Sequence, residues 1–195
     1  GSHGSQRYPI GFSGDTIATW KSLKFQLYFT AVSANVGYSW WSHDIGGFLQ
    51  LVRNDELYTR WVQFGCFSPI FRFHNSGTPR ADNRPWAKKL IYRDTAIEAL
   101  KLRRSLLPYL YTNAWENRCG ELPLIRPMYH DHPEDENAYK CPYQYYFGDD
   151  IIAAPYDEPM SKKTKKISKK IWLPKIKSGN WFDFFTGKKF KGGRW

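Results

Sequence analysis

Three short apolar runs, each ending on a side chain that carries protons or hydrogen bonds, recur at nearly equal intervals. They are Pro9-Ile10-Gly11-Phe12-Ser13-Gly14-Asp15, Tyr38-Ser39-Trp40-Trp41-Ser42-His43-Asp44 and Pro69-Ile70-Phe71-Arg72-Phe73-His74. Asp15 and Asp44 are 29 positions apart, and Asp44 and His74 are 30. That interval fits one strand plus its crossover helix in a parallel sheet. The segments between the runs agree. Residues 16–34 place Ile17, Trp20, Leu23, Leu27 and Ala31 at helical spacing, with Asp15 or Thr16 available as N-cap. Residues 55–64 put Leu57, Trp61 and Phe64 on one face of a shorter helix. Polar groups at the carboxyl ends of successive parallel strands are where α/β enzymes gather their active sites, so the rhythm predicts catalysis.

Further along, residues 94–117 give the longest helical pattern, with Ala96, Leu100, Leu107, Leu110, Tyr111 and Ala114 toward the core, Pro108 as a kink and Gly120 as a stop. Residues 122–128 read as another strand. From Gly148 the texture changes to short strands at 151–155, 166–173 and 181–185 with no helix between them. The predicted division is therefore residues 1–147, strand and helix alternating, and residues 148–195, all β. A complete eightfold βα barrel takes about 250 residues, and this chain shows about four units, so the first part is either a small open α/β sheet or the C-terminal part of a barrel.

Charge narrows the function classes. The formal net charge is +11, but residues 1–159 carry 17 basic and 17 acidic side chains, and residues 160–195 carry 12 basic side chains against Asp183. The lysines from Lys162 to Lys170 have no aromatic interleaved before Trp172, unlike a single-strand binder with its stacking platforms. A solvated, lysine-protected edge is the better reading, and no nucleic-acid partner is expected. Cys66, Cys119 and Cys141 form no CxxC pair, so no zinc site or disulfide framework is expected. No apolar run approaches the roughly 18 residues needed to cross a bilayer, so no membrane partner and a soluble protein are expected; its location is left unknown, with the cytoplasm favoured. Gly1-Ser2-His3 reads as a remnant of tag removal. No GxGxxG, Walker, HExxH or nucleophile-elbow motif occurs, and no cofactor or metal is expected.

The strand-end residues offer particular chemistry. A carboxyl group at Asp15, on a turn loosened by Gly14, can donate a proton to a leaving-group oxygen and then act as base on water. It can equally cap the following helix. Asp44, followed by Gly46 and Gly47, can accept hydrogen bonds from ligand hydroxyls beside the flat faces of Trp40, Trp41 and Phe48, or it can be a turn Asp beside buried aromatics. His74 can bond a ligand or satisfy a loop carbonyl at the head of the loop 75–85. His43 and Asp44, as neighbours on an extended chain, point to opposite sides and make no triad.

Taken together, Arg7-Tyr8-Pro9-Ile10-Gly11-Phe12-Ser13-Gly14-Asp15-Thr16, Trp40-Trp41-Ser42-His43-Asp44-Ile45-Gly46-Gly47, Arg60-Trp61-Val62-Gln63-Phe64-Gly65 and Phe67-Ser68-Pro69-Ile70-Phe71-Arg72-Phe73-His74 resemble glycoside hydrolase family 31. The likeness continues through Arg103-Arg104-Ser105-Leu106-Leu107-Pro108-Tyr109-Leu110-Tyr111, Arg126-Pro127-Met128 and Trp181-Phe182-Asp183-Phe184-Phe185-Thr186-Gly187. It implies the C-terminal part of a (β/α)8 TIM barrel followed by the start of a β-sandwich domain. It implies a retaining α-glycosidase, mostly α-glucosidase or α-xylosidase, acting on oligosaccharides. It places the general acid/base at Asp15 and the sugar-lining residues at Asp44, Phe48 and His74, with Phe12, where many members have Trp, and Trp41 as further walls.

The family's nucleophilic Asp lies in a Trp-x-Asp-Met-Asn-Glu type segment, and residues 1–195 contain none. A retaining mechanism needs two carboxylates about 5 Å apart. The chain alone is therefore expected to be inactive, and its partners are expected to be an oligosaccharide, the missing N-terminal half of the barrel, or another copy through exposed edges. The alternative from a different class is a non-catalytic sugar-binding or scaffolding fragment.

Overall fold

The structure is a computed structural model that describes residues 4, 7, 8, 10–49, 53–77, 82–120 and 122–195. Gly1-Ser2-His3, Pro9 and positions 78–81 of the loop after His74 lie outside the described residues.

β1 (Ile10–Phe12) and β2 (Trp40–Ser42) pair in parallel, with Gly11 opposite Trp41 and Phe12 opposite Ser42. The crossover is α1 (Trp20–Val32), whose Leu23, Leu27 and Ala31 enter the core. Its N-cap is Thr19, whose Oγ1 accepts from Ser22 N at 3.0 Å, rather than Asp15 or Thr16. Thr16 instead bonds the Gly14 carbonyl at 3.2 Å, which fixes the turn ahead of the helix. After β2 the chain returns through α2 (Asp55–Cys66), capped by Asn54 and buried along Leu57, Tyr58, Trp61, Val62 and Phe64.

The third predicted strand contracts to one parallel bridge, Ile45 to Phe73, with Ile45 N donating to Arg72 O at 3.1 Å. Two causes are visible. Pro69 has no N–H to offer a ladder, and the Cys66, Ser68 and Pro69 carbonyls are all taken by the Arg103 guanidinium at 2.7 to 2.9 Å.

The long predicted helix is two helices, α3 (Leu90–Ser105) and α4 (Leu107–Arg118), separated at Leu106. Pro108 falls in the first turn of α4, where its missing N–H costs nothing. Ala96 and Leu110 are buried as expected, while Leu100, Leu107 and Tyr111 are exposed. Periodicity marks which side of a helix is apolar, not how much of that side neighbouring residues cover.

The strand expected at 122–128 is β3 (Ile125–Pro127). It does not extend the parallel set. It pairs antiparallel with β4 (Tyr145–Phe147), which pairs with β5 (Ile151–Ala153). Two short helices, α5 (Met128–Asp131) and α6 (Glu136–Tyr139), fill the connection. The division expected after residue 147 falls at the β4–β5 turn, inside this sheet. A left-handed glycine at 148 (φ +66°) makes that turn; a Cβ there would collide with the Tyr109 hydroxyl, which donates to Phe147 O at 2.9 Å. Of the later strands, β6 (Trp181–Phe182) and β7 (Lys189–Phe190) form a hairpin. Residues 166–173 form no ladder beyond a bridge from Leu173 to Arg194.

One core joins these parts. Leu23, Leu27, Ile45, Trp61 and Phe64 pack in the same cluster as Ile125, Tyr145 and Phe147 of β3 and β4. Tyr146, on the opposite face of β4, packs in a smaller cluster with Met128 and Trp172.

Candidate active site at the strand ends

Alternation along the parallel strands sorts their side chains into two sets. Trp41 packs edge-on against Phe29 of α1 at 4.8 Å, His43 stacks on Phe64 of α2 at 4.3 Å, and Ile45 abuts Gly65 of α2. These face the helices. Phe71 also abuts Gly65, and Phe73 stacks with Tyr58, so both face α2. The intervening positions, Trp40, Ser42, Asp44, Arg72 and His74, lie on the opposite, inner face. Phe12, two positions from Ile10 and opposite Ser42, belongs to it as well.

Trp41 is therefore corrected. It is a buried wall between β1 and α1, not a sugar-facing ring, and a Cβ on Gly11 would come within 2.5 Å of its indole. One residue of register decides this, because the strand period is two.

Asp44 is the most enclosed carboxylate of the face, its side chain fully buried. Arg72 Nη2 donates to Asp44 Oδ1. Burial raises the Asp44 pKa, Arg72 and His74 pull it down, and Asp15 raises it. The Arg72 guanidinium lies 4.9 Å over the Phe12 ring. Phe48 stacks with His74 at 5.3 Å between centroids.

Asp15 itself is exposed, on the turn made by Gly14 (φ +86°), and four residues ahead of the helix cap. The capping role is thus filled by another residue, and the carboxyl is free for solution chemistry.

His43 is structural. Trp61 Nε1 donates to its Nδ1 at 3.1 Å, so its Nε2 carries the proton and donates to Ser68 Oγ at 2.8 Å, and that hydroxyl donates to Phe64 O. Burial, with Arg72 adding, pushes its pKa down to about 3.

Two residues of the arrangement escaped the sequence reading. Arg72 carried a detectable signal, since it lies two positions before His74 on the same strand and so shares its face. Asn83 did not. Its Nδ2 donates to Gly47 O at 3.1 Å and His74 O at 2.9 Å, tying the Phe48 and His74 loops together, and nothing in the string of the loop 75–85 distinguishes it.

Parallel strands wrapped by helices, with carboxylates and a histidine at consecutive carboxyl ends and an antiparallel sheet behind, define the C-terminal part of a (β/α)8 barrel with a following β-domain. Residues 1–113 match the glycosyl hydrolases family 31 TIM-barrel domain, and residues 121–195 match the glycosyl hydrolase family 31 C-terminal domain. The chain belongs to glycoside hydrolase family 31. It is similar to an α-xylosidase of Saccharolobus solfataricus, 33% identical over 98% of this chain and 25% of that protein. It is also similar to α-glucosidase 2 of Bacillus thermoamyloliquefaciens, 33% identical over 100% of this chain and 24% of that one. Among solved structures, a cycloalternan-degrading enzyme from Trueperella pyogenes superimposes with a TM-score of 0.87 at 27% identity, over 98% of this chain and 27% of that one. The chain thus spans about a quarter of the length of these relatives. Among the described residues, no helix is long and apolar enough to cross a membrane.

Proposed function

We propose that the protein containing this chain hydrolyses terminal α-linked sugars of oligosaccharides by a retaining double displacement, with Asp15 as general acid and then base. The observation that carries the reading is a fully buried Asp44 held by Arg72, with His74 on the same face two positions after Arg72 and Asp15 on the turn after the neighbouring strand. Asp44, Phe48, His74 and Phe12 form one side of the sugar site. Solved relatives that hold isomaltose or xylose support a small α-linked sugar as the ligand class.

The nucleophile comes from outside these 195 residues, since a second carboxylate about 5 Å from the acid is required and no segment here resembles the one that supplies it. The barrel portion ends ahead of β3, where the antiparallel sheet begins.

Two assays test this. The 195-residue chain should not turn over an aryl α-glucoside or α-xyloside, and turnover above background would show that the nucleophile is present after all. In the full-length protein, Asp15→Asn should slow substrates with poor leaving groups far more than aryl glycosides with good ones. Equal rates for variant and wild type on both would reassign the acid.

A further inference from the structure

Arg72 stands between two residues of the site without belonging to the set that the family resemblance names. Its Nη2 donates to Asp44 Oδ1, its planar guanidinium rests on the Phe12 ring, and its carbonyl accepts from Ile45 N. The last contact fixes its backbone to the residue that follows Asp44. The Asp44 side chain is fully buried, yet among the described residues Oδ2 has no hydrogen-bond partner, and Arg72 Nε is likewise buried without one. A buried carboxylate oxygen left unpaired is costly, and a polar ligand can recover that cost.

We infer that Arg72 is a positioning residue: it grips Asp44 by Oδ1 and, braced on Phe12, aims Oδ2 at a hydroxyl group of the bound sugar. The inference rests on the proposed function, in which Asp44 lines the sugar site. Two properties of arginine suit the task. Its fork has fixed directions, and its flat face stacks on a ring, neither of which lysine reproduces. Its charge also offsets the burial of Asp44, which alone would favour the protonated form, a form with less acceptor capacity.

The test uses the full-length protein and whichever aryl α-glucoside or α-xyloside the wild type turns over. Arg72→Ala should lower kcat/KM by about 10- to 30-fold, the lower end expected when a buried charge loses its partner, because the Arg72 side chain is itself partly exposed, and mainly through KM. Added guanidinium ion at millimolar concentration should restore part of the loss. In a double-mutant cycle, Arg72→Ala should cost little more in an Asp44→Asn background, because its effect passes through Asp44. Loss of activity with no guanidinium rescue and with costs that multiply would make Arg72 a structural residue and overturn the inference. So would a kcat/KM within threefold of wild type.

Asp44→Asn alone separates the two readings. If it leaves kcat/KM unchanged, the sugar site is misplaced and both fall. If it is impaired while Arg72→Ala is not, the inference alone falls. Should Arg72→Ala fail to fold, Arg72→Gln takes its place in the same cycle, with non-multiplying costs expected and multiplying costs overturning it.

Discussion

Buried polar groups are handled differently by the barrel portion and by the C-terminal sheet. Among the described residues, the buried side-chain atoms without a partner in the chain all fall between residues 13 and 72, and Ser42 Oγ, Asp44 Oδ2 and Arg72 Nε share the inner face. From β3 onward the buried polar groups are paired. Arg126 reaches Pro123 O, Asp131 and Asp149; Gln144 both donates to Trp172 O and accepts from Trp172 N; Lys169 donates to Tyr143 O, Pro155 O and Asp157. Folding alone favours the second pattern, since each orphaned group costs stability. On the proposed sugar site the first pattern is the one expected of groups that await a ligand, but among the described residues Gln26, Thr30 and Arg60 on the helices and the helix-facing Trp41 carry unpartnered atoms too, so the two sets have to be told apart by experiment.

The contrast should break most visibly at Asp15. Asp15→Asn in the full-length protein should lower kcat on poor leaving groups by about 10²- to 10⁴-fold, the usual contribution of general acid–base catalysis, with the melting temperature unchanged because the residue is exposed and caps nothing. The reverse is expected of Arg126→Met. Losing a buried guanidinium with four hydrogen bonds should destabilise the chain by about 2–3 kcal/mol in urea titration. The figure is moderated because Asp149 is largely exposed and can rehydrate. Activity per folded molecule should not change. If Arg126→Met lowers kcat in a fully folded protein, the division between the two regions is wrong.

A pH test comes next. The His43 pKa is pushed down from its ordinary 6.5 to about 3, so the unfolded chain binds a proton there that the folded chain refuses. The stability that neutral His43 supplies is complete above pH 6.5 and drains away as pH falls toward 3, by up to about 1.4 kcal/mol per pH unit. His43→Gln can keep the bonds to Trp61 and Ser68 without titrating, and its stability curve should be flatter across that window. Parallel curves for variant and wild type would mean that His43 stays charged in the fold.

The strand ends were legible in the sequence because their spacing is set by local chain geometry: a strand, a helix of fixed pitch, and a return. The 29- and 30-residue intervals are those of the elements themselves: Asp15 follows β1, Asp44 follows β2 and His74 follows the bridge at Phe73. What could not be read is what depends on distant partners. Arg103, far along α3, takes up the Pro69 carbonyl at the start of the third predicted strand and the Cys66 and Ser68 carbonyls just before it. The side of the strand on which Trp41 lies depends on one residue of register. The run around Ile125 has a strand's composition, yet whether it pairs in parallel with the barrel or antiparallel with β4 is decided by residues 145–147, beyond any local pattern. Asn83 works through two backbone carbonyls, one at the head of its own loop and one on the loop after Asp44, and an asparagine in a polar loop carries no mark of that.

The smallest effect is also the sharpest test of why polar groups are left unpaired. Thr30 Oγ1, on α1, and Ser42 Oγ, on the inner face, are both buried and, among the described residues, without a partner. If the barrel portion merely packs its polar groups poorly, the two positions are equivalent, and removing either hydroxyl should help. If the inner face is kept for a ligand, they differ. Thr30→Val replaces a hydroxyl by a methyl of similar size and should stabilise the protein by up to about 1 kcal/mol with no change in KM. Ser42→Ala should give a similar or smaller gain in stability, but with a raised KM in the full-length protein. An unchanged KM in Ser42→Ala would remove Ser42 from the sugar site while leaving Asp44 and Arg72 in place, because those two side chains are held by an ion pair in which Ser42 takes no part.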